Sequence, residues 1–406
     1  MTYYELKKVL VKPSTRVLGV VLVVVTLVVI ALSVSTVEWV NDDGNVIKGL
    51  SAISKIRDEK EKWSGKVTKD YVANIIAKNT EYNNSVSADI KDAENIIYAK
   101  KQGFKDIREM INYSFSEFRD FDYYKIDELT EEDANKFYNN RIDNLKTWLD
   151  NEGSQLYNKV EKQYYIEQYE KLEIPINYEY SDGWKNLNNN ASIVIMTSAI
   201  VICLIVSNVF SSEKQYREDY IFYSTYRGRN RGIVAKIKAG TILTTIIYIL
   251  ALLIFTLVTL AIFGSGGADC AIQASGLWKS FYNLTNLHEY LLIFIGGYVA
   301  TLYLSMLTMF ISALTTSAIF SSVISFIVIL LPSIIMTLPL RQTTISAIGI
   351  LPDQLLNVNN ILRQFNVYCI GNFVILPITI MLCLYFLLTV VLIPLTYWSF
   401  KIKEVK

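Results

Sequence analysis

Residues able to do chemistry are sparse in this 406-residue chain, and their spacing does not assemble a catalytic set. A single histidine, His288, stands beside Glu289, which leaves general-base catalysis by imidazole almost without candidates. No Ser-His-Asp, Cys-His or H-E-x-x-H combination occurs, and no G-x-x-x-x-G-K-[ST] phosphate loop; Gly264-Ser265-Gly266-Gly267 reads as a loop after an apolar run. Cys203, Cys270, Cys369 and Cys383 lack C-x-x-C spacing, so they make no zinc module. Carboxylates are numerous between residues 38 and 190, but nothing pairs them as an acid and a base. Asn41-Asp42-Asp43-Gly44 fits a turn better than a calcium loop, because the later ligands of a twelve-residue site are missing. The expectation is a non-catalytic chain with no cofactor or metal of its own.

The elements that hold these residues belong in a membrane. A mean hydropathy of +0.29 with 19% charged residues is too apolar for soluble domains. The net charge of +1 gives no basic excess that would point to nucleic acid. Residues 38–190 hold 30 of the 38 acids and 22 of the 39 bases, so a polar domain is inserted into a hydrophobic framework. The fold class expected is an all-α polytopic membrane protein, with six transmembrane helices and a mainly helical extracytoplasmic domain between helices one and two.

A helix needs about 20 apolar residues to cross a hydrocarbon core of about 30 Å. Uncharged runs of that size occupy residues 17–37, 191–210 and about 240–263. Residues 290–340 carry no charge and would make a helix of about 76 Å, so the run must fold back. The polar cluster Ser312 to Ser317 is the turn that makes spans four and five. A sixth span covers about 374–398, with Pro377 and Pro394 near its ends as kink candidates. Lys and Arg near the span ends set the orientation. Lys7, Lys8, Lys12 and Arg16 precede span one; Lys214, Arg217, Arg227, Arg229, Arg231, Lys236 and Lys238 lie between spans two and three; Lys401, Lys403 and Lys406 follow span six. The opposite loops contain only Lys279, Arg341 and Arg363. This bias places both termini in the cytoplasm and residues 38–190 outside a cell membrane. A cleaved signal peptide is the alternative for span one, although its apolar run is long for one.

The external segment of about 150 residues is long enough for an independent core. An amphipathic helical stretch opens at Ser87-Ala88-Asp89 and runs to about Tyr113; Thr130-Glu131-Glu132-Asp133 is an N-cap; Gly153 stops the helix that follows; another runs from about Ser154 to Leu172; and Ile174 to Tyr180 returns extended. Tyr123-Tyr124 and Tyr164-Tyr165 suit either core packing with interfacial anchoring or a surface that grips a peptide or lipid. Cys270 and Cys369 both fall in external loops, where a disulfide between them would staple the loop after span three to the one before span six. His288 reads as an interfacial polar residue rather than a pH switch.

No ionisable residue lies in the interior of the six predicted spans, which argues against ion-coupled transport. Energy would then come from another chain, through the longest cytoplasmic segment, 211–239. Its Tyr220-Ile221-Phe222-Tyr223 patch suits a short helix docked in a partner's groove, or one lying on lipid headgroups held by Arg227, Arg229 and Arg231. A span ends in Phe-x-x-Glu (Phe210 to Glu213), Tyr-Ser-Thr-x-x-Gly-Arg follows (Tyr223, Ser224, Thr225, Gly228, Arg229), and Ala235-Lys236 leads into the next span. In these elements the segment resembles the permease subunit of type-2 ATP-binding-cassette exporters. Tyr178 to Trp184 and Lys48 to Ile53 are similar to the Gram-positive branch with a large extracellular insert.

The resemblance implies three regions: 1–37 with helix one, the 38–190 insert, and 191–406 with helices two to six and a coupling helix within 211–239. It implies that Glu213, Tyr220, Phe222, Tyr223, Ser224, Thr225, Gly228 and Arg229 meet an ATPase subunit, where ATP and Mg would bind. It also implies a second permease chain, identical or related, and a short re-entrant element for which residues 345–362 are candidates, a plain external loop being the alternative. Export of a peptide, lipid or lipophilic compound would follow. The competing readings are a transmitter that moves the external domain without cargo and, with no visible catalytic set, a membrane enzyme.

Overall fold

The structure is a computed structural model that describes residues 1–41, 44–85, 93–215, 228–315, 317–335 and 348–402. Most of these residues are helical. A short amphipathic helix, α1 (Thr2–Leu10), turns at Lys12 into α2 (Pro13–Ser35), which starts on a proline whose missing N–H costs nothing in a first turn. The other long apolar helices are α9 (Asp182–Val206), continued after Ser207 by α10 (Asn208–Gln215), then α11 (Ile233–Phe263), α12 (Asn286–Leu314) and α16 (Pro377–Lys401). Among the described residues, five segments are long and apolar enough to cross a membrane, and a shorter apolar helix, α13 (Ala318–Ile335), packs with them. This is compatible with a multi-pass membrane protein. Val20, Val24 and Leu27 on α2 and Phe386, Leu387 and Val390 on α16 are exposed, as apolar side chains facing lipid must be.

α12 ends at Leu314 and α13 begins at Ala318, so the long uncharged run does break at the Ser312 to Ser317 cluster. Helix ends overrun the apolar runs elsewhere. α9 starts at Asp182, nine residues before its run, and in these polar turns Asn186 and Asn190 donate to the carbonyls of Asp182 and Asn186. Pro377 starts α16 rather than kinking it, and Pro394 lies inside it. Helices approach closely where glycine permits: a Cβ on Gly240 of α11 would stand 2.2 Å from the Met309 sulfur of α12. Hydroxyls supply cross-helix bonds, with Thr244 donating to Ser305 and Thr308 paired with Ser325.

The polar domain sits at one end of this bundle. It contains α3 (Leu50–Glu61), α4 (Lys69–Asn84), α5 (Ala93–Lys101), α6 (Lys105–Phe115), α7 (Phe137–Asp150) and α8 (Lys159–Glu170). The long helix expected up to Tyr113 is interrupted by a tight turn at Gln102–Phe104, and its start at Ser87 lies outside the described residues. Thr130 and Asp133 form the expected capping box. Two small antiparallel pairs tie the chain down: β1 (Glu38–Val40) with β2 (Val46–Lys48), and β3 (Gly65–Lys66) with β4 (Asn177–Tyr178). Asn41 and Gly44 close the first hairpin as a turn.

The domain's core is not self-contained. Trp278 and Ala274, from the connection between α11 and α12, pack with Ile75, Phe104, Ile111 and Phe137. Trp148, Tyr165 and Tyr169 belong to the same core cluster as the bundle, and Phe365 touches the Phe118, Trp148 and Tyr165 rings. Tyr165 is thus core, whereas Tyr123 and Tyr124 are exposed. A third hairpin, β5 (Tyr368–Ile370) with β6 (Phe373–Ile375), precedes α16.

Candidate functional site

Two clusters of buried charge hold the two ends of the α9–α10 rod. At the end opposite the domain, Lys236 lies in the first turn of α11 with its side chain 1% exposed. It donates to Glu213 Oε1 of α10 at 2.5 Å, to Glu5 Oε2 of α1 at 2.9 Å and to the Val209 carbonyl at 3.3 Å. Lys8, one helical turn from Glu5 on α1, also reaches Glu213, at 3.1 Å. Two lysines and two carboxylates therefore neutralise one another and pin α1, α10 and α11 together.

Glu213 faces inward, 5% exposed, with its carboxylate on Lys236 and Lys8. Phe210 points the same way, its ring 4.9 Å from that of Phe400 in the last turn of α16. The Phe-x-x-Glu spacing thus places an apolar and an ionic anchor three residues apart on one helix face. The break between α9 and α10 is bridged from α12, because Ser312 Oγ accepts from the Ser211 N–H and donates to the Ser207 carbonyl.

Tyr220, Phe222, Tyr223, Ser224 and Thr225 lie outside the described residues. Gly228 and Arg229 open a π-helical turn, Gly228–Gly232, that runs directly into α11. In that turn Asn230 accepts from the Tyr397 hydroxyl of α16 at 2.9 Å.

At the domain end the first residue of α9, Asp182, receives Lys60 of α3 at 2.8 Å. Lys60 also reaches Asp106 of α6 at 2.7 Å, and Lys185 stands 3.6 Å from Asp106. Burial works against the Lys60 charge, but the Asp106 and Asp182 carboxylates outweigh it and hold Lys60 above the usual lysine range. Burial likewise opposes the Asp106 charge, and Lys60 and Lys185 overcome it and keep the carboxyl well below the usual range. Arg57 adds a bond to the Ile262 carbonyl at the end of α11. Arg141, 4% exposed, donates to the Trp278 and Ser280 carbonyls and covers the Tyr169 ring at 3.8 Å.

The remaining expectations fall into place around these clusters. All four cysteines are free thiols: Cys270 is buried near Glu179, while Cys369, on β5, faces Asn158 and Glu161. The Cys270–Cys369 bridge is therefore not formed here. His288 is exposed and bonds Thr285 at the start of α12. Of residues 345–362, those from 348 are described. They fold into two short buried helices, α14 (Pro352–Leu356) and α15 (Val358–Arg363), rather than a plain loop. Asn359 donates to the Asn188 carbonyl of α9, and a Cβ on Gly296 of α12 would stand 2.7 Å from Val358.

Reading the sequence alone missed both lysine clusters. Lys236 and Lys8 read in sequence as charges flanking spans, and nothing singles out Glu5. The available signal was the position of Lys236, three residues inside an apolar helix. No family model, curated protein or solved structure matches the chain.

Proposed function

We propose that this chain is the transmembrane subunit of an ATP-binding-cassette exporter, driven by a separate ATPase through the segment between α10 and α11. The observation that carries the proposal is the rod itself. Asp182 to Glu213 spans 32 residues, about 48 Å at about 1.5 Å per residue, and each end is held by a buried lysine between two carboxylates. In this reading Glu213 and Lys236 act as a relay behind the contact surface. A push on Tyr220 to Arg229 would shift α10, α11 and α1 together, because breaking the cluster would leave charges buried and unpaired. The ATPase would hold ATP and Mg, a second permease chain would complete the path, and residues 38–190 would face outward. A peptide, lipid or lipophilic compound would be the cargo.

A second reading, movement of the domain without cargo, draws on the domain end. Lys60, Arg57 and Arg141 fasten the domain to the bundle, so a displacement of α9 would reach the domain directly.

The test is co-expression with a candidate ATP-binding-cassette ATPase subunit. Arg229→Glu, or deletion of residues 220–223, should abolish co-purification while leaving membrane insertion intact. Glu213→Gln should keep co-purification but lower the ATPase rate in the complex. Unchanged binding in both surface variants would sink the assignment.

A further inference from the structure

Two adjoining cavities, of about 540 and 530 Å³, share Val234, Lys238 and Tyr397 and form one groove between α11 and α16 at the end away from the domain. The groove changes character along its length. Its mouth carries Arg231 and Lys238, and Lys401 stands 5.2 Å from the Tyr397 ring. Its deeper part is lined by Ile237, Ile242, Ile393 and Pro394. Pro394 sits inside α16 and offers no N–H to the carbonyl one turn back, and its ring contributes to the groove wall. Among the described residues no carboxylate lines either cavity. Ile242 and Ile393 are 38% and 42% exposed, on the surface that a bilayer would cover.

We infer that this groove binds one anionic phospholipid, with its phosphate between Arg231 and Lys238 and an acyl chain along Ile242, Ile393 and Pro394. The charge pattern selects the occupant. Two cations at the mouth with Lys401 beside them, no acid among the described lining residues, and an apolar floor that begins within one helical turn match a phosphate joined to a hydrocarbon chain. A free phosphate would leave the floor empty, and an uncharged lipid would leave the cations without a partner. The inference requires only that the bundle sit in a membrane, so it stands or falls separately from the ATPase assignment.

The experiment is native mass spectrometry of the full chain, delipidated in mild detergent and titrated with phosphatidylglycerol or phosphatidylcholine. Wild type should retain one phosphatidylglycerol in preference to phosphatidylcholine. Each cation should contribute about fivefold, so Arg231→Gln with Lys238→Gln should lower the bound fraction roughly 25-fold. Lys7→Gln with Arg16→Gln removes the same charge at the same end and should leave binding unchanged. Ile242→Trp should fill the groove and expel the lipid without altering charge. Equal retention of the two lipids, an equal loss in the Lys7/Arg16 control, or a lipid still bound to the Ile242→Trp variant would each overturn the inference. So would a change in that variant's oligomeric state, which would make the groove a contact between copies.

Discussion

The two ends of the α9–α10 rod carry the same inventory of two lysines and two carboxylates, yet in different surroundings. In the first cluster the central pair is dry, with Lys236 1% and Glu213 6% exposed, while Lys8 and Glu5 at its edge are 36% and 21% exposed. In the second, Lys60 is 8% exposed, and Asp106 and Asp182 are 13% and 19% exposed and line a cleft of about 300 Å³ with Lys105 and Glu109. Water therefore reaches the edges of both clusters but not the Lys236–Glu213 pair. That drier pair holds a fixed arrangement, because separating it strands a buried charge. The wetter central lysine, Lys60, joins the domain to the bundle and can shift with less penalty, since solvent can take up a displaced charge.

That contrast sets the scale of four substitutions. Lys236→Met should be the most damaging, costing about 3 kcal/mol by leaving Glu5 without its lysine and Glu213 with Lys8 alone, read as a lower unfolding temperature of the protein in detergent. Pairing it with Glu213→Gln should recover part of the loss. Lys60→Met should cost roughly half as much, because solvent screens Asp106 and Asp182. If Lys60→Met proved the worse variant, the assignment of the drier and the wetter lysine would be reversed.

The pH dependence separates the domain-end cluster from Lys101, which faces Asp127 and Asn83. The raised Lys60 value adds stability below the ordinary lysine range of about 10.5, and the depressed Asp106 value adds it above about 4. The domain-end cluster should thus be insensitive between those limits. Lys101 behaves oppositely, since burial pulls its amine down to about 8 against the attraction of Asp127. Stability should rise between about pH 8 and 10.5, where the unfolded chain still binds the proton and the folded one does not. Denaturant melts of wild type and Lys101→Met across that range should show the rise in wild type and its loss in the variant. The smallest effect belongs to Thr130→Ala, about 1 kcal/mol from the lost capping box. It should lower domain stability with no effect on either lysine cluster.

Much of the bundle was legible because apolar runs are one-dimensional signals. The break between α12 and α13 and the capping box at Thr130 are local and equally visible. The clusters were not, because their members are distant in sequence: Lys236 lies 231 residues from Glu5, and Lys60 lies 122 from Asp182. Such pairs form only once the helices are packed. The inward turn of Glu213 was hidden for the same reason, since a Phe-x-x-Glu pattern at a helix end reads equally as a contact surface or a buried anchor. The sharing of Trp278 and Phe365 with the polar domain likewise depends on three-dimensional proximity, which made the domain look more self-contained in sequence than it is.

Hydrogen exchange of wild type and Lys236→Met, read peptide by peptide, addresses the rod most directly. The account expects faster exchange at both ends, over residues 1–10 and 208–240 and also over 182–186 and the Lys60 turn of α3. Faster exchange confined to the Lys236 end, with residues 182–186 unchanged, would contradict a rod that links the two clusters.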